Sequence, residues 1–227
     1  MGYDYKPNPW SSHTLLMRCF PEAGEGRRVL DVGCGPGYLS SLLAARGYVV
    51  TGIERQEGTG PNPFPSSVTL IEADLEAGLP RLTETFDYVL CADILEHLRD
   101  PGRLLRQLRA VLSPGATLIA SLPNSGNIWF RLNVLFGRFP QEEKGLFDRT
   151  HVRFYVWKGW RKLLEGAGFR IHSVETSSIP VGLMLPEPLR ESAPVLAFES
   201  VCYGLARMRM QLFAYQFIVQ ASADRQG

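Results

Sequence analysis

The sequence predicts an α/β domain: a parallel sheet with helices packed on both faces. Three observations carry this expectation. Short apolar runs alternate with segments of helical period through the first 125 residues, the order of strands joined by crossover helices. The runs are continuously aliphatic and β-branched, as strands buried on both faces must be. Of 227 residues, 45% are hydrophobic and 21% charged, enough apolar surface for one or at most two globular domains.

Five strands are expected at Arg28–Val32, Val49–Glu54, Val68–Glu72, Phe86–Cys91 and Ala116–Leu122. Leu39, Leu42 and Leu43 share one face of a helix that Gly47 can end at its C′ position. Leu104, Leu105, Leu108 and Leu112 do the same for a helix with Asp100 as N-cap and Pro101 in its first turn. Between Arg55 and Ser67 stand Gly58, Gly60, Pro61, Pro63 and Pro65, which excludes a full helix and predicts an extended surface loop. After Asn124 the rhythm breaks. Asn127–Phe139 is aromatic and apolar with Arg131 and Arg138, and Gln141–Lys144 is polar, so an insertion over one sheet edge is expected. Trp160, Leu163, Leu164 and Ala167 predict a further helix stopping at Gly168. A strand at Phe169–Glu175, a Pro-interrupted, partly helical stretch and a last strand at Leu212–Gln220 complete the reading. No internal repeat is present.

Charge and cysteine usage exclude several function classes. Lys+Arg number 24 and Asp+Glu 23, a net charge of +1, so neither a basic nucleic-acid arm nor an acidic tail organises the chain, and no nucleic-acid partner is expected. Cys19, Cys34, Cys91 and Cys202 stand far apart without a CxxC pair, so no metal site and no disulfide framework is expected, and a reducing compartment fits. MGYDYKPNPW has no apolar leader region. The least polar later stretch, Ala193–Ala206, contains Glu199 and falls short of the ~20 residues of a membrane span. A soluble, cytoplasmic protein without a transmembrane segment is therefore expected.

The most informative stretch is Val29–Ser40, VLDVGCGPGYLS, a buried strand that runs into Gly33, Gly35 and Gly37 and then a helix. Glycines serve where backbone turns tightly and a ligand approaches without a Cβ in the way. A P-loop needs Lys then Ser/Thr after its glycines, and neither is there. A dinucleotide fingerprint needs its third glycine where Tyr38 stands. Asp31 puts a carboxylate at the strand end, which suits a cationic ligand better than a pyrophosphate. Glu54, 23 residues on, closes the second strand where a carboxylate can accept from both hydroxyls of a ribose. Asp74, at the end of the third strand, can accept from an exocyclic amine while the Leu75 amide donates to a ring nitrogen.

VLDVGCGPGYLS, the Glu54 strand end, EADLE at Glu72–Glu76, FDYVLCADILEHLRDP at Phe86–Pro101 and LLRQLRAVLSPGATLIASLPN resemble the successive motifs of class I S-adenosylmethionine-dependent methyltransferases. LFDRTHVRFYVWKGWRKLLEGAGF resembles the matching part of bacterial members related to the ubiquinone-biosynthesis O-methyltransferases. The resemblance covers roughly residues 28 to 175. It implies a Rossmann-like seven-stranded, mostly parallel sheet of order 3-2-1-4-5-7-6 with the last strand antiparallel, and S-adenosyl-L-methionine as cofactor with S-adenosyl-L-homocysteine as product. It further implies that Asp31, Gly33, Gly35 and Gly37 hold the methionine part, Glu54 the ribose, Asp74 and Leu75 the adenine, and the Ala92 region the methionine amine. The Pro-rich loop after Glu54, where the family has a helix, and Val156, where a capping Thr or Ser is common, depart from the pattern.

Methyl transfer is an in-line displacement, so a base is needed only where the acceptor must lose a proton. His151, in the segment Asp148–Tyr155, and His97, after the fourth strand, are placed for that; the competing readings are loop support beside Arg149 and Arg153 and helix-end packing. His13 is a candidate to close over the cofactor, while His172 on a strand reads as structural. Trp129, Phe130, Leu132 and Phe136 suggest an apolar lid over an organic acceptor, against packing on the last helices. Arg131 and Arg138 beside them also suggest weak membrane-surface contact. The expectation is one methyltransferase domain over 1–227, with an N-terminal helical lid at 1–27 and a cap insertion at 125–155. The expected reaction methylates a hydroxyl of a small organic or sugar-containing acceptor. Carbon or nitrogen methylation, a non-catalytic cofactor-binding module and a nicotinamide-dependent oxidoreductase are the alternatives, the last opposed by Tyr38 and Asp31.

Overall fold

Parallel strands β1 (Arg28–Val32), β2 (Val49–Glu54), β3 (Val68–Glu72), β4 (Phe86–Ala92) and β5 (Leu112–Pro123) are joined by β6 (Phe169–Thr176) and β7 (Gln216–Ala223). They form one sheet of order β3-β2-β1-β4-β5-β7-β6, in which β7 lies antiparallel to both β5 and β6. The computed structural model describes residues 8–55, 64–190 and 192–224. Most of the loop expected at Arg55–Ser67 lies outside the described residues, as do the first seven residues of the expected N-terminal lid. The helices are α1 (Ser12–Arg18), α2 (Tyr38–Ala45), α3 (Pro101–Ala110), α4 (Ile128–Leu135), α5 (Trp157–Gly166), α6 (Glu187–Arg190), α7 (Ala193–Met208) and α8 (Met210–Phe213). Among the described residues no helix is long and apolar enough to cross a membrane.

Both faces of the sheet are buried, which is why its strands read as continuous apolar runs. On β4, Val89 and Cys91 point into one core cluster and Leu90 into the other; on β5, Leu118, Ala120 and Leu122 oppose Ile119 in the same way. Alternation of side chains along a strand sends every second residue to the same face. One cluster takes Leu104, Leu105 and Leu108 of α3 with Trp160 and Leu164 of α5. The other takes Leu15, Leu16 and Met17 of α1 with Leu39 and Leu43 of α2. The indole N–H of the fully buried Trp160 donates to the Pro123 carbonyl at 2.8 Å, so its burial leaves no polar atom unpaired.

The element ends follow their local chemistry. Asp100 Oδ1 accepts from the Arg103 amide at 2.9 Å and Pro101 opens α3. Gly47 and Gly168 follow α2 and α5 at φ +84° and +83°, the left-handed position where a side chain is strained. Val156 is the N-cap of α5 and makes no side-chain cap bond.

Two strand expectations need correction. β5 begins at Leu112, four residues before the expected start, and β7 begins at Gln216 instead of Leu212. Buried Asn124 and Asn127 cause the second difference. Their amides donate to the carbonyl of Ala214, each at 2.9 Å, and also to those of Met210, Gln211 and Phe213. These bonds hold the approach to β7 as the short helix α8.

Candidate active site

The glycine loop sits at the carboxyl ends of β1 and β2, where open α/β sheets bind ligands. The Gly33 and Cys34 amides both donate to the Ile53 carbonyl, at 2.8 and 3.1 Å. Gly33, Gly35 and Gly37 have φ of +73°, +52° and +77°. A Cβ on Gly33 would lie 2.7 Å from the Ile94 side chain, and one on Gly37 2.2 Å from the Phe64 ring. At Gly35 it would meet nothing within 4 Å. The outer glycines are thus demanded by packing, and the middle one presents bare backbone to open space.

Asp31 is 1% exposed. Its Oδ2 accepts from the Ser40 hydroxyl at 2.6 Å, so the carboxyl is tied to the first turn of α2. Burial pushes its pKa up to about 7, the Ser40 bond partly offsets this, and the Glu54 charge adds to the rise. A cation placed here would favour the ionised form. Glu54 reaches back to the loop: Oε2 accepts from the Gly35 amide and Oε1 from the Arg55 amide, each at 2.8 Å. Each carboxylate oxygen keeps a further lone pair for a hydroxyl. Asp74 is exposed, its Oδ1 accepting from the Glu76 amide at 2.9 Å. Leu75 beside it is buried in the core, which fixes the backbone at that edge. The residues expected to hold methionine, ribose and adenine thus line one edge of the sheet, and the open backbone at Gly35 with the acids around it fits S-adenosylmethionine.

The end of β4 supplies the rest. Ala92 pairs with Ser121 of β5, and Asp93 follows with φ +52°, a left-handed backbone that a non-glycine residue adopts at a cost of order 1–3 kcal/mol. Its neighbours hold it there: Oδ1 accepts from the Ser121 hydroxyl at 2.6 Å and the Gln216 amide at 2.7 Å, and its own N–H donates to Ser121 Oγ at 2.9 Å. Ile94 then packs on Gly33, and a 3₁₀ turn, Leu95–His97, carries Glu96 and His97.

His97 and His151 meet here, with ring centroids 4.8 Å apart. His97 Nδ1 lies 3.2 Å from the Thr150 carbonyl and 3.0 Å from Thr150 Oγ1. That hydroxyl donates to Asp148 Oδ1 at 2.6 Å. A carbonyl can only accept and the hydroxyl proton is already used, so His97 Nδ1 carries a hydrogen, and in the neutral ring Nε2 is the nitrogen with the lone pair. Glu96, which sequence reading passed over, is 1% exposed; its Oε1 lies 3.9 Å from His151 Nε2 and its Oε2 has no hydrogen-bond partner. Burial raises the Glu96 carboxyl well above its usual range, helped by Asp93. Burial, and then His97, lowers His151 to about 4. Burial thus disfavours the charged form of both partners in this contact. Ligand atoms of Glu96, His97 and His151 all lie within 4.8 Å of one another, a donor set able to take a divalent ion that the spacing along the chain does not suggest.

The remaining candidates fall elsewhere. His13 is buried on α1, and His172 Nε2 lies 2.7 Å from Ser222 Oγ across two strands. Of the four residues expected as an apolar lid only Phe130 turns inward, stacked on Phe147 at 4.6 Å. Trp129, Leu132 and Phe136 face outward, because one face of so short a helix is already occupied by Phe130 and Asn133.

Residues 8–174 match the family described as a methyltransferase domain. The chain belongs to the class I S-adenosylmethionine-dependent methyltransferases. The chain is similar to the ubiquinone biosynthesis O-methyltransferase of Stutzerimonas stutzeri (strain A1501), 36% identical over 111 aligned positions in a match that covers 44% of this chain and 45% of that one. It therefore spans less than half the length of the curated relatives it matches. Its fold is shared with an S-adenosylmethionine-dependent methyltransferase from Mesorhizobium loti, at TM-score 0.59 and 21% identity over 91% of this chain and 95% of the other. It is also shared with magnesium protoporphyrin IX methyltransferase from Synechocystis PCC 6803, solved with bound S-adenosylhomocysteine, at TM-score 0.57 and 21% identity over 93% and 80%.

Proposed function

We propose that this methyltransferase methylates a hydroxyl of a small organic or sugar-containing acceptor. The pairing of His97 with His151 carries the reading: their rings meet at 4.8 Å in the turn after β4, and His97 turns Nδ1–H to Thr150, leaving Nε2 as the ring nitrogen for an acceptor. Bound S-adenosylmethionine supplies an electrophilic methyl on a sulfonium whose sulfur leaves as a thioether. As the acceptor oxygen attacks, His97 Nε2 takes its proton, and Asp148, through the Thr150 hydroxyl, keeps the ring aligned. His151, neutral and packed against His97, orients the acceptor or shares the proton. Gly33, Gly35, Gly37 and Asp31 hold the methionine part, Glu54 the ribose, Asp74 and Leu75 the adenine, and the Ala92 turn the amine. In this reading residues 125–155 serve as a cap beside the histidines, and the described part of the N-terminal segment, residues 8–27, serves as a lid over the cofactor. The O-methyltransferase relatives support a hydroxyl over an amine or a carbon. The four cysteines, all free thiols, suit the cytoplasm.

The test is methyl transfer to a panel of catechols, phenols, sugars and amines by wild type, His97→Ala and His151→Ala. His97→Ala lowers turnover at least about a hundredfold while S-adenosylhomocysteine binding persists. Less than a tenfold loss in both variants, on a hydroxyl acceptor, overturns the base assignment. The clustering of Glu96, His97 and His151 favours a second use of the same atoms, as ligands of a divalent cation. Calorimetric titration with Mg²⁺ or Zn²⁺, compared between wild type and Glu96→Gln, separates the two. A base alone gives no binding and no sensitivity to chelator; a cation site gives both.

A further inference from the structure

The segment that carries His151 has no ladder of its own: residues 151–156 belong to no helix or strand before α5 begins at Trp157. Contacts with the turn after β4 therefore decide where its histidine sits. Thr150 meets His97, and the Val152 and Arg153 amides both donate to the Glu96 carbonyl, at 3.0 and 3.1 Å. The Arg153 side chain adds a further hold. Its Nε donates to the Arg99 carbonyl at 3.2 Å, and its Nη2 donates to the same oxygen.

Arg153 is exposed and takes part in none of the ion pairs among the described residues. A surface arginine ordinarily faces a carboxylate or water. Here two nitrogens of the guanidinium converge on one main-chain oxygen, and a planar, pre-organised fork loses little freedom for each bond that it forms. Arg99 is anchored from its other side as well. Its amide donates to Glu76 Oε1 at 2.9 Å, and the Arg103 side chain donates to the Glu76 carbonyl. Glu76 stands two residues beyond Asp74, on the loop read above as the adenine edge. One line of hydrogen bonds thus runs from that loop through Glu76, Arg99 and Arg153 to the backbone beside His151. Methyl donor and imidazoles are referred to the same frame, and in-line transfer is sensitive to that frame: a misplacement of about 1 Å can cost about a hundredfold in rate.

We propose that Arg153 is a positioning residue for methyl transfer, clamping the His151 segment onto the His97 turn in register with the cofactor's adenine-side loop. This rests on the reading that the histidine pair serves the acceptor hydroxyl; Arg153 acts through the pair. Hydrogen exchange on the full chain tests the clamp without any acceptor. In Arg153→Ala the amides of residues 150–154 exchange about tenfold faster while those of the sheet keep their wild-type rates. Arg153→Lys, which offers one donor atom in place of two, falls between. Wild-type exchange at residues 150–154 in Arg153→Ala overturns the proposal. Turnover is then read on catechol, or on whichever hydroxyl of the panel wild type methylates fastest. Arg153→Ala lowers kcat about tenfold, Arg153→Lys recovers part of the loss, and S-adenosylhomocysteine affinity and the thermal midpoint stay at their wild-type values. In a His97→Ala background the same substitution costs nothing further, because the imidazole that it positions is gone. An equal loss in both backgrounds assigns Arg153 to folding alone and overturns the proposal. A loss in His97→Ala with wild-type kcat in Arg153→Ala overturns the clamp and leaves the base reading standing. Wild-type turnover by His97→Ala overturns the base reading and the positioning role with it.

Discussion

Asp31 is a buried carboxyl at the edge proposed to hold the cofactor. Its folded pKa of about 7 stands above the ~3.9 of an unfolded aspartate, so the folded state binds the proton more tightly. Its contribution to stability is fully present below about pH 4 and is lost as pH rises through about 7. In urea melts across that window, wild type should lose stability relative to Asp31→Asn, whose side chain stays neutral; parallel curves would show that Asp31 does not titrate there. A sulfonium placed beside the carboxyl reverses the preference. S-adenosylmethionine binding near neutral pH should therefore release a proton, read by calorimetry in buffers of different ionisation enthalpy.

At the scale of elements, Asn124 and Asn127 are the clearest case of side chains deciding backbone structure. Both are fully buried, and both donate to the Ala214 carbonyl. Asn127→Ala leaves carbonyl acceptors of α8 short of a donor and also removes the N-cap acceptor for the Trp129 amide. The expected cost is about 1–3 kcal/mol, measured by chemical denaturation. A change under about 0.5 kcal/mol would mean that α8 holds itself. These bonds also explain which elements were legible in advance. β1, β2 and β3 match their expected bounds because each is a short β-branched run closed by turn residues. The start of β7 does not, since Leu212 and Phe213 are as apolar as a strand and only a partner about 90 positions away assigns them to a helix. α7, with Pro194 in its first turn and Gly204 inside, reads from sequence only as partly helical. The glycine loop and its acids were visible as a spaced motif. Glu96 was not, because a carboxylate between Leu95 and His97 looks like an ordinary surface acid until the fold buries it.

For the whole molecule, the long-range contacts of Glu199 matter most. Its carboxylate joins Asn8 of the N-terminal segment to Gly182 after β6, so three distant parts of the chain share one buried acceptor. Glu199→Ala strands the Gly182 amide and frees the N-terminal segment. The expected result is a loss of about 1–3 kcal/mol together with faster protease cleavage ahead of α1; cleavage at the wild-type rate would show that α1 is held by its apolar contacts alone. A related dependence governs the edge that carries the two histidines. Asp93 keeps its left-handed backbone with help from Ser121 on β5 and Gln216 on β7, and the turn that it begins carries Glu96 and His97. The nucleotide-binding half of the sheet is local in sequence and can form early, but the histidine turn waits for a strand that must thread between β5 and β6. The last strand to arrive thus completes both the turn after Ala92 and the two core clusters, to which it adds Phe217, Ile218 and Val219, so the site and the interior close in one event.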